Sequence, residues 1–172
     1  PVGVIGKLVG IENQRAFGRF LHACACCDTE QDVLSAIHTL AEREIKGLGP
    51  AAANLLYFLH PTLVPPFNTA IVKGYNLLAG ARVKLGRWDE YLAMREGVLR
   101  TNLAHRTLLS NDLGAIAGLL FDVGIGRYAP PPHDGDAAVQ AKWEQDLAKV
   151  REESVAQAKV LKAAGEGDRT HT

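Results

Sequence analysis

The chain has 172 residues, of which 47% are apolar and 22% charged, and its 19 Lys and Arg residues balance 19 Asp and Glu residues. These values are ordinary for one globular domain with a core of its own. The zero net charge argues against a protein that holds nucleic acid by bulk electrostatics alone, while it leaves room for a local basic face.

Helical periodicity begins at residue 11. Residues 11 to 27 repeat apolar side chains at spacings of three and four, and Thr29 is a good N-cap for a second helix that runs out near residues 44 to 46. The first two helices are expected to bury the following residues: Ala16, Phe17, Phe20, Leu21 and Cys24, then Val33, Leu34, Ile37, Leu40 and Ala41.

A tight turn and a third helix come next. Two glycines flank one apolar residue at 47 to 49, and Pro50 suits the first position of a new helix. Residues 51 to 59 are apolar nearly all round, so we expect this helix to be deeply buried. Three prolines between residues 61 and 66 then exclude regular structure.

Three further helices complete the predicted body. Asn68 begins one that a glycine ends, residues 89 to 109 form a longer one, and Ser110 or Asn111 caps the next over residues 112 to 124. Their candidate core residues are Tyr91, Leu92, Val98, Leu99 and Leu103, then Ile116, Leu119, Leu120 and Val123.

These elements predict an all-α fold. We expect a compact helical bundle containing a helix-hairpin-helix motif over residues 1 to 124, a Pro/Gly linker at 125 to 136, a charged C-terminal helix at 137 to 164 and a disordered tail at 165 to 172. A short strand is possible only in PVGVIGKLV at the N-terminus. An apolar stripe on the C-terminal helix favours packing against the body or a protein partner and leaves self-association open: Val139, Trp143, Leu147 and Val150.

Cysteine usage and hydropathy bear on location. Cys24, Cys26 and Cys27 cannot all pair with one another, neighbouring cysteines bridge poorly, and no fourth cysteine completes a zinc site. We therefore expect reduced thiols buried on a helix, no metal or other cofactor, and a cytoplasmic location. No apolar run reaches the roughly 18 residues of a membrane span, and no signal-peptide pattern is present. Because the chain starts at Pro1, it is either processed or a fragment of something longer.

The opening of the third helix has a direct physical use. Glycines in a turn between two helices let the backbone approach a phosphate closely, and the second helix aims its free N–H groups at that phosphate. Such a helix-hairpin-helix holds the DNA backbone without reading sequence and needs no basic side chain, which agrees with the zero net charge.

Four segments follow one another in a specific order: IKGLG at 45 to 49, AANLL at 52 to 56, PTL at 61 to 63 and PFNTAI at 66 to 71. This order resembles the signature region of the helix-hairpin-helix DNA glycosylase superfamily, the endonuclease-III-like base-excision enzymes. That family has a Leu-Pro-Gly-x-Gly hairpin, a buried helix, a proline-bearing turn and a Val-Asp-Thr-His segment, and the spacing agrees with one residue deleted in the turn. The resemblance implies a related helical fold and a hold on duplex DNA.

Two departures from the family concern its chemistry. The family's essential carboxylate falls at Asn68, whose amide can neither stabilise an oxocarbenium-like state by charge nor act as a base. The lysine nucleophile of bifunctional members would lie near Ala51, and Lys46 stands where the family has proline. The iron–sulfur loop of some members is absent. Asn68 is also a good N-cap, so it is either a purely structural cap or a cap that lines a nucleotide pocket.

Two other residues could replace the missing acid–base group. His60 could act as a general base, or it could satisfy a helix C-terminus. Asp122 could have a raised pKa in an apolar helix, or it could pair with a buried arginine. Tyr57 and Phe58 could stack on a base, but so apolar a helix favours a core position for both.

Three functions are compatible with this pattern. The first is a DNA-binding protein built like a helix-hairpin-helix glycosylase without the standard chemistry; the second is a monofunctional DNA glycosylase of altered mechanism using Asn68, His60 or Asp122; the third is a helical protein-interaction module. Residues 82 to 106 are the most basic stretch and read either as a phosphate-binding face or as a solvated one. The candidate DNA-binding residues are Lys46, Gly47, Leu48, Gly49, Ala51, Lys73, Arg82, Lys84 and Arg87.

Overall fold

A computed structural model describes residues 10–45, 48–132 and 136–167, without the side chains of residues 50, 51, 154, 158, 161 and 163–167. Within these ranges the chain forms seven helices and no strand, which confirms the predicted all-α class. The helices are α1 Ile11–Ala25, α2 Glu30–Ala41, α3 Leu48–Leu59, α4 Thr69–Ala79, α5 Trp88–Ala104, α6 Gly114–Gly124 and α7 Ala137–Gly167. The possible N-terminal strand lies outside the described residues.

The chain divides into two compact units, Pro1–Ile125 and Gly126–Thr172. The first unit contains α1 to α6 around one apolar core, and the second contains α7. None of the helices in the described ranges is long and apolar enough to cross a membrane.

Local signals account for the start of α2. Thr29 has extended backbone angles, and its hydroxyl accepts a hydrogen bond from the Asp32 amide at 3.2 Å. The Asp32 carboxylate accepts one from the Thr29 amide, also at 3.2 Å, which completes a capping box. The predicted cap is confirmed, and α2 buries Val33, Ile37 and Leu40.

The connection between α2 and α3 differs from the prediction. Helix α2 ends at Ala41, and Glu44 adopts a left-handed conformation with φ of 47°. Helix α3 begins at Leu48 instead of Pro50, so Gly49 belongs to its first turn. Proline is tolerated at the third position because amides in the first turn have no intrahelical partner.

The predicted boundaries of α5 and α6 were also wrong in part. Helix α5 ends at Ala104, and Leu103, predicted to be buried, is 65% exposed because the last turn of the helix reaches solvent. Neither Ser110 nor Asn111 caps α6. The N-cap residue is Leu113, and the Asp112 carboxylate accepts a hydrogen bond from the first amide of the helix at 2.8 Å.

Helices α4 and α6 cross at unusually short range. A Cβ added at Gly74 would lie 1.8 Å from the Leu120 carbonyl oxygen, and one added at Gly124 would lie 1.8 Å from the Ala70 carbonyl oxygen. The two helices therefore meet backbone to backbone, and glycine is required on both sides of the crossing. The crossing anchors α4, and Asn68 caps the N-terminus of α4.

The second unit has its own anchoring contacts. The Trp143 indole donates to the Ala129 carbonyl at 2.8 Å, and the Arg127 guanidinium lies 5.8 Å from the centre of the Tyr128 ring. Helix α7 continues to Gly167, so the disorder predicted from residue 165 is wrong for 165 to 167. The rest of that tail lies outside the described residues.

Candidate functional site

The first turn of α3 is the candidate site for a phosphate. The Leu48 amide donates to the Ile45 carbonyl at 3.2 Å, and the Leu48 side chain is buried. Gly49 lies against Trp88, where an added Cβ would make ordinary contact with the indole at 3.7 Å. Gly49 and Trp88 both line a cleft of about 540 Å³. The amides of Gly49 and Ala51 lie in the turn where a helix leaves N–H groups without intrahelical partners.

Charges around this cleft partly cancel. Arg87 donates two hydrogen bonds to the Asp89 carboxylate at 2.6 and 2.9 Å, and this pairing lowers the pKa of Asp89 and raises that of Arg87. Glu44 also lines the cleft. Arg87 is therefore not a free cation, and a phosphate here would depend mainly on main-chain amides.

The other candidate DNA-binding residues fall into two groups. Lys73, Arg82 and Lys84 are exposed on α4 and on the α4–α5 connection. Lys46 and Gly47 lie outside the described residues, and the side chain of Ala51 is not described.

Arg95, counted in the predicted basic stretch, does not belong to a phosphate face. It is only 4% exposed, its Nε donates to the Leu63 carbonyl at 2.7 Å, and it forms an ion pair with Glu30. The basic stretch predicts a surface arginine at this position, but α5 directs Arg95 toward the core. That part of the prediction is wrong.

Side chains from α5 also hold the proline-rich turn. Four residues after Tyr91, Arg95 binds the Leu63 carbonyl, while the Tyr91 hydroxyl donates to the Pro65 carbonyl at 3.0 Å. Burial raises the pKa of Tyr91, so the phenol stays protonated as a donor. These i, i+4 partners satisfy alternate carbonyls of a segment that makes no helix.

Asn54 on α3 also binds the backbone of the proline-rich turn, at Phe67. Its Oδ1 accepts a hydrogen bond from the Phe67 amide at 3.2 Å, and its Nδ2 donates to the Phe67 carbonyl at 3.5 Å. Sequence reasoning did not assign Asn54 a role. The available signal was a carboxamide inside the otherwise apolar helix α3, which needs a polar partner.

Asn68 follows directly and caps α4. Its backbone is extended, with φ of −140° and ψ of 172°, and its Oδ1 accepts a hydrogen bond from the Ile71 amide at 3.0 Å. The predicted N-cap is confirmed. Asn68 is thus held between the proline-rich turn, whose Phe67 backbone binds Asn54, and the start of α4.

His60 and Asp122 are the two residues proposed for acid–base chemistry. His60 Nε2 lies 2.7 Å from the Cys24 carbonyl oxygen, so this nitrogen must carry the proton, and the ring joins the end of α3 to the last turn of α1. Asp122 is half-buried on α6. Neither residue lines the cleft at Gly49, and Asn68 does not line it either.

Helix α3 is less buried than predicted. Its core face holds Ala52, Ala53 and Leu56, but Phe58 is 80% exposed, so its predicted core position is wrong. Leu55 and Leu59 are exposed on the same side as Phe58. Tyr57 is half-buried against the core. The uniform apolarity of α3 reflects one core face and one exposed apolar face.

Only part of the cysteine prediction is confirmed. Cys24 is buried, and burial raises its pKa to about 12, while Cys26 is exposed and Cys27 is half-buried. The Cys27 thiol donates to the Ala23 carbonyl at 3.0 Å. Among the described residues, no group of three or more His, Cys, Asp or Glu residues could hold a metal ion.

Comparisons of the chain with protein-family models, with curated proteins and with solved structures found no match.

Proposed function

We propose that this protein binds duplex DNA through the α2–α3 connection and the first turn of α3, and that it does so without glycosylase chemistry. The observation that carries the proposal is the order of elements around Asn68. A glycine-containing helix start, a helix with a buried face, a pinned proline turn and a capped helix follow one another as in the family that the sequence resembles. The amides of the α3 first turn would bind phosphate, as helix N-termini do elsewhere.

The role proposed for Asn68 is that of a helix N-cap and not of a catalytic residue. An amide that is neutral at all physiological pH values supplies neither the charge nor the base that glycosidic cleavage needs. The Asn68 oxygen also accepts a hydrogen bond from the Ile71 amide.

The proposed location is the cytoplasm. Free thiols at Cys24, Cys26 and Cys27 support a reducing compartment.

The first test is DNA binding measured by fluorescence anisotropy at several salt concentrations. If Lys46, Arg82 and Lys84 neutralise about three phosphates, the log–log slope of affinity against salt is expected to be roughly −3. Lys84→Ala should reduce this slope by about one, whereas Lys149→Ala on α7 is the matched control and should not change it. A chain that binds no duplex at any salt concentration would refute the proposal.

A second pair of variants addresses the helix start itself. Gly49→Glu places a carboxylate in the first turn of α3, where it suits the helix dipole and repels a phosphate. Gly49→Gln is nearly isosteric and neutral. We expect the Glu variant to bind DNA at least tenfold more weakly than the Gln variant, with equal helicity by circular dichroism. Equal affinities would place the DNA contact elsewhere.

Base release distinguishes the enzyme hypothesis from this proposal. Duplexes carrying a panel of modified bases are incubated with wild type and with Asn68→Ala. We expect no release by wild type. Release by wild type that disappears in Asn68→Ala would make the protein a glycosylase and would contradict the non-catalytic assignment.

A protein-interaction role is the second candidate function. It is favoured by the exposed apolar face of α3, made of Leu55, Phe58 and Leu59 at i, i+3 and i+4 spacing. Phe58→Ser should leave DNA affinity unchanged if the two functions use separate surfaces. The oligomeric state by analytical ultracentrifugation, with and without this substitution, shows whether the face binds a second copy.

A further inference from the structure

A cavity with a volume of about 410 Å³ lies between α4, α5 and α6, and the proposed DNA site does not border it. Its floor is made of buried apolar side chains, among them Val98, Ile116 and Leu120. This volume falls within the range of small-molecule sites, which are mostly apolar with a few polar groups. At about 30 Å³ for each water-sized atom, the cavity has room for roughly a dozen non-hydrogen atoms.

The shape of the cavity follows α5. Val98, Thr101 and His105 line it from one side of this helix, over a rise of roughly 10 Å at 1.5 Å per residue. The Thr101 hydroxyl is already used, because it donates to the Gly97 carbonyl at 2.9 Å. His105 caps the exposed end of α5 and supplies an N–H donor in either protonation state. The cavity is therefore lined mostly by apolar side chains, with His105 at the exposed end of α5.

The mouth of the cavity is lined by exposed leucines. Leu108 is 82% exposed, and Leu78 and Leu119 are also exposed. A bound apolar chain would remove part of these side chains from water, which is the usual driving force for binding at such a site. Leu103 on α5 is exposed as well, but it does not line the cavity.

We propose that this cavity binds a single-chain aliphatic molecule of about ten carbons, whose oxygen head group accepts a hydrogen bond from His105. The apolar walls accommodate the chain, and the imidazole at the solvent end accommodates a carboxylate or a hydroxyl. Both head groups share the same acceptor chemistry, so fatty acids and fatty alcohols are the two sources to be distinguished.

The test uses the full chain and isothermal titration calorimetry with decanoate and decanol, each below its micelle concentration or solubility limit, and with hexanoate as a short-chain comparison. We expect saturable binding of one C10 molecule per chain and at least tenfold weaker binding of hexanoate. Binding of decanoate alone identifies the acid as the source, and equal binding of decanol identifies the hydroxyl as sufficient. No saturable binding of either C10 ligand overturns the proposal.

Matched variants separate the cavity from general surface hydrophobicity. Leu108→Glu should weaken C10 binding at least tenfold, whereas Leu103→Glu changes a similarly exposed leucine outside the cavity and should leave it unchanged. Ala79→Trp fills the cavity from the end of α4 and should also abolish binding. Equal losses for the two Leu→Glu variants would mean non-specific adsorption. An unchanged affinity in His105→Ala would overturn the head-group assignment.

Discussion

The sharpest prediction about stability concerns the crossing of α4 and α6. A methyl group at Gly74 would lie 1.8 Å from the Leu120 carbonyl oxygen, whereas ordinary contact begins at about 3.4 Å. The helices would have to separate by roughly 1.6 Å, the difference between these two distances. Because the opposing atom belongs to the backbone, no rotamer change can relieve the contact, and overpacking of a core costs about 1–3 kcal/mol.

Gly74→Ala also carries a gain that must be subtracted. Alanine is favoured over glycine inside a helix by about 1 kcal/mol. Gly118 on α6 measures this gain alone, because an added Cβ there meets nothing within 4 Å. We therefore expect Gly118→Ala to stabilise the protein by about 0.5–1 kcal/mol. Because the opposing atom at Gly74 is backbone, we place the overpacking cost there at the upper end, about 3 kcal/mol, so Gly74→Ala should destabilise the protein by about 2 kcal/mol after the gain is subtracted.

The assay is urea unfolding monitored by circular dichroism at 222 nm for wild type and both variants. Their free energies of unfolding are compared after checking that the m-values are equal. A loss of 2 kcal/mol is a large part of the roughly 5–15 kcal/mol that stabilises a domain. If Gly74→Ala and Gly118→Ala shift the free energy of unfolding in the same direction and by similar amounts, the close approach of α4 and α6 is wrong.

Three further predictions concern single side chains. Asn54→Ala removes both hydrogen bonds to the Phe67 backbone and should lower the free energy of unfolding by about 1–3 kcal/mol in urea titrations; a loss below 0.5 kcal/mol would contradict this role. Cys26 should react with iodoacetamide in the native protein, while Cys24, with its buried thiol and raised pKa, should react only after unfolding, as mass spectrometry of the labelled peptides will show. The pKa of Asp112 is lowered chiefly by the first amide of α6, so its stabilisation is present above the unfolded pKa of about 4 and is lost as the pH falls through the lowered folded value. Asp112→Ala should therefore destabilise the protein at pH 7, and its difference from wild type should shrink below about pH 4; a difference independent of pH would contradict the capping contact.

Some features could be predicted from the sequence because they depend on neighbouring residues along the chain. Thr29 with Asp32 specifies the start of α2, and Asn68 after two prolines specifies the start of α4, since a cap needs only its own helix. The apolar spacing of α1 identified its buried face for the same reason.

Other features were decided only by the tertiary structure. Whether Arg95 lies in the core depends on a carbonyl 32 positions earlier in the chain, and the exposure of Phe58 depends on which face of α3 its neighbours cover. Glycine at Gly74 is required only because α6 approaches it. Helical periodicity shows which residues share a face, and only packing between distant segments determines which face becomes the core.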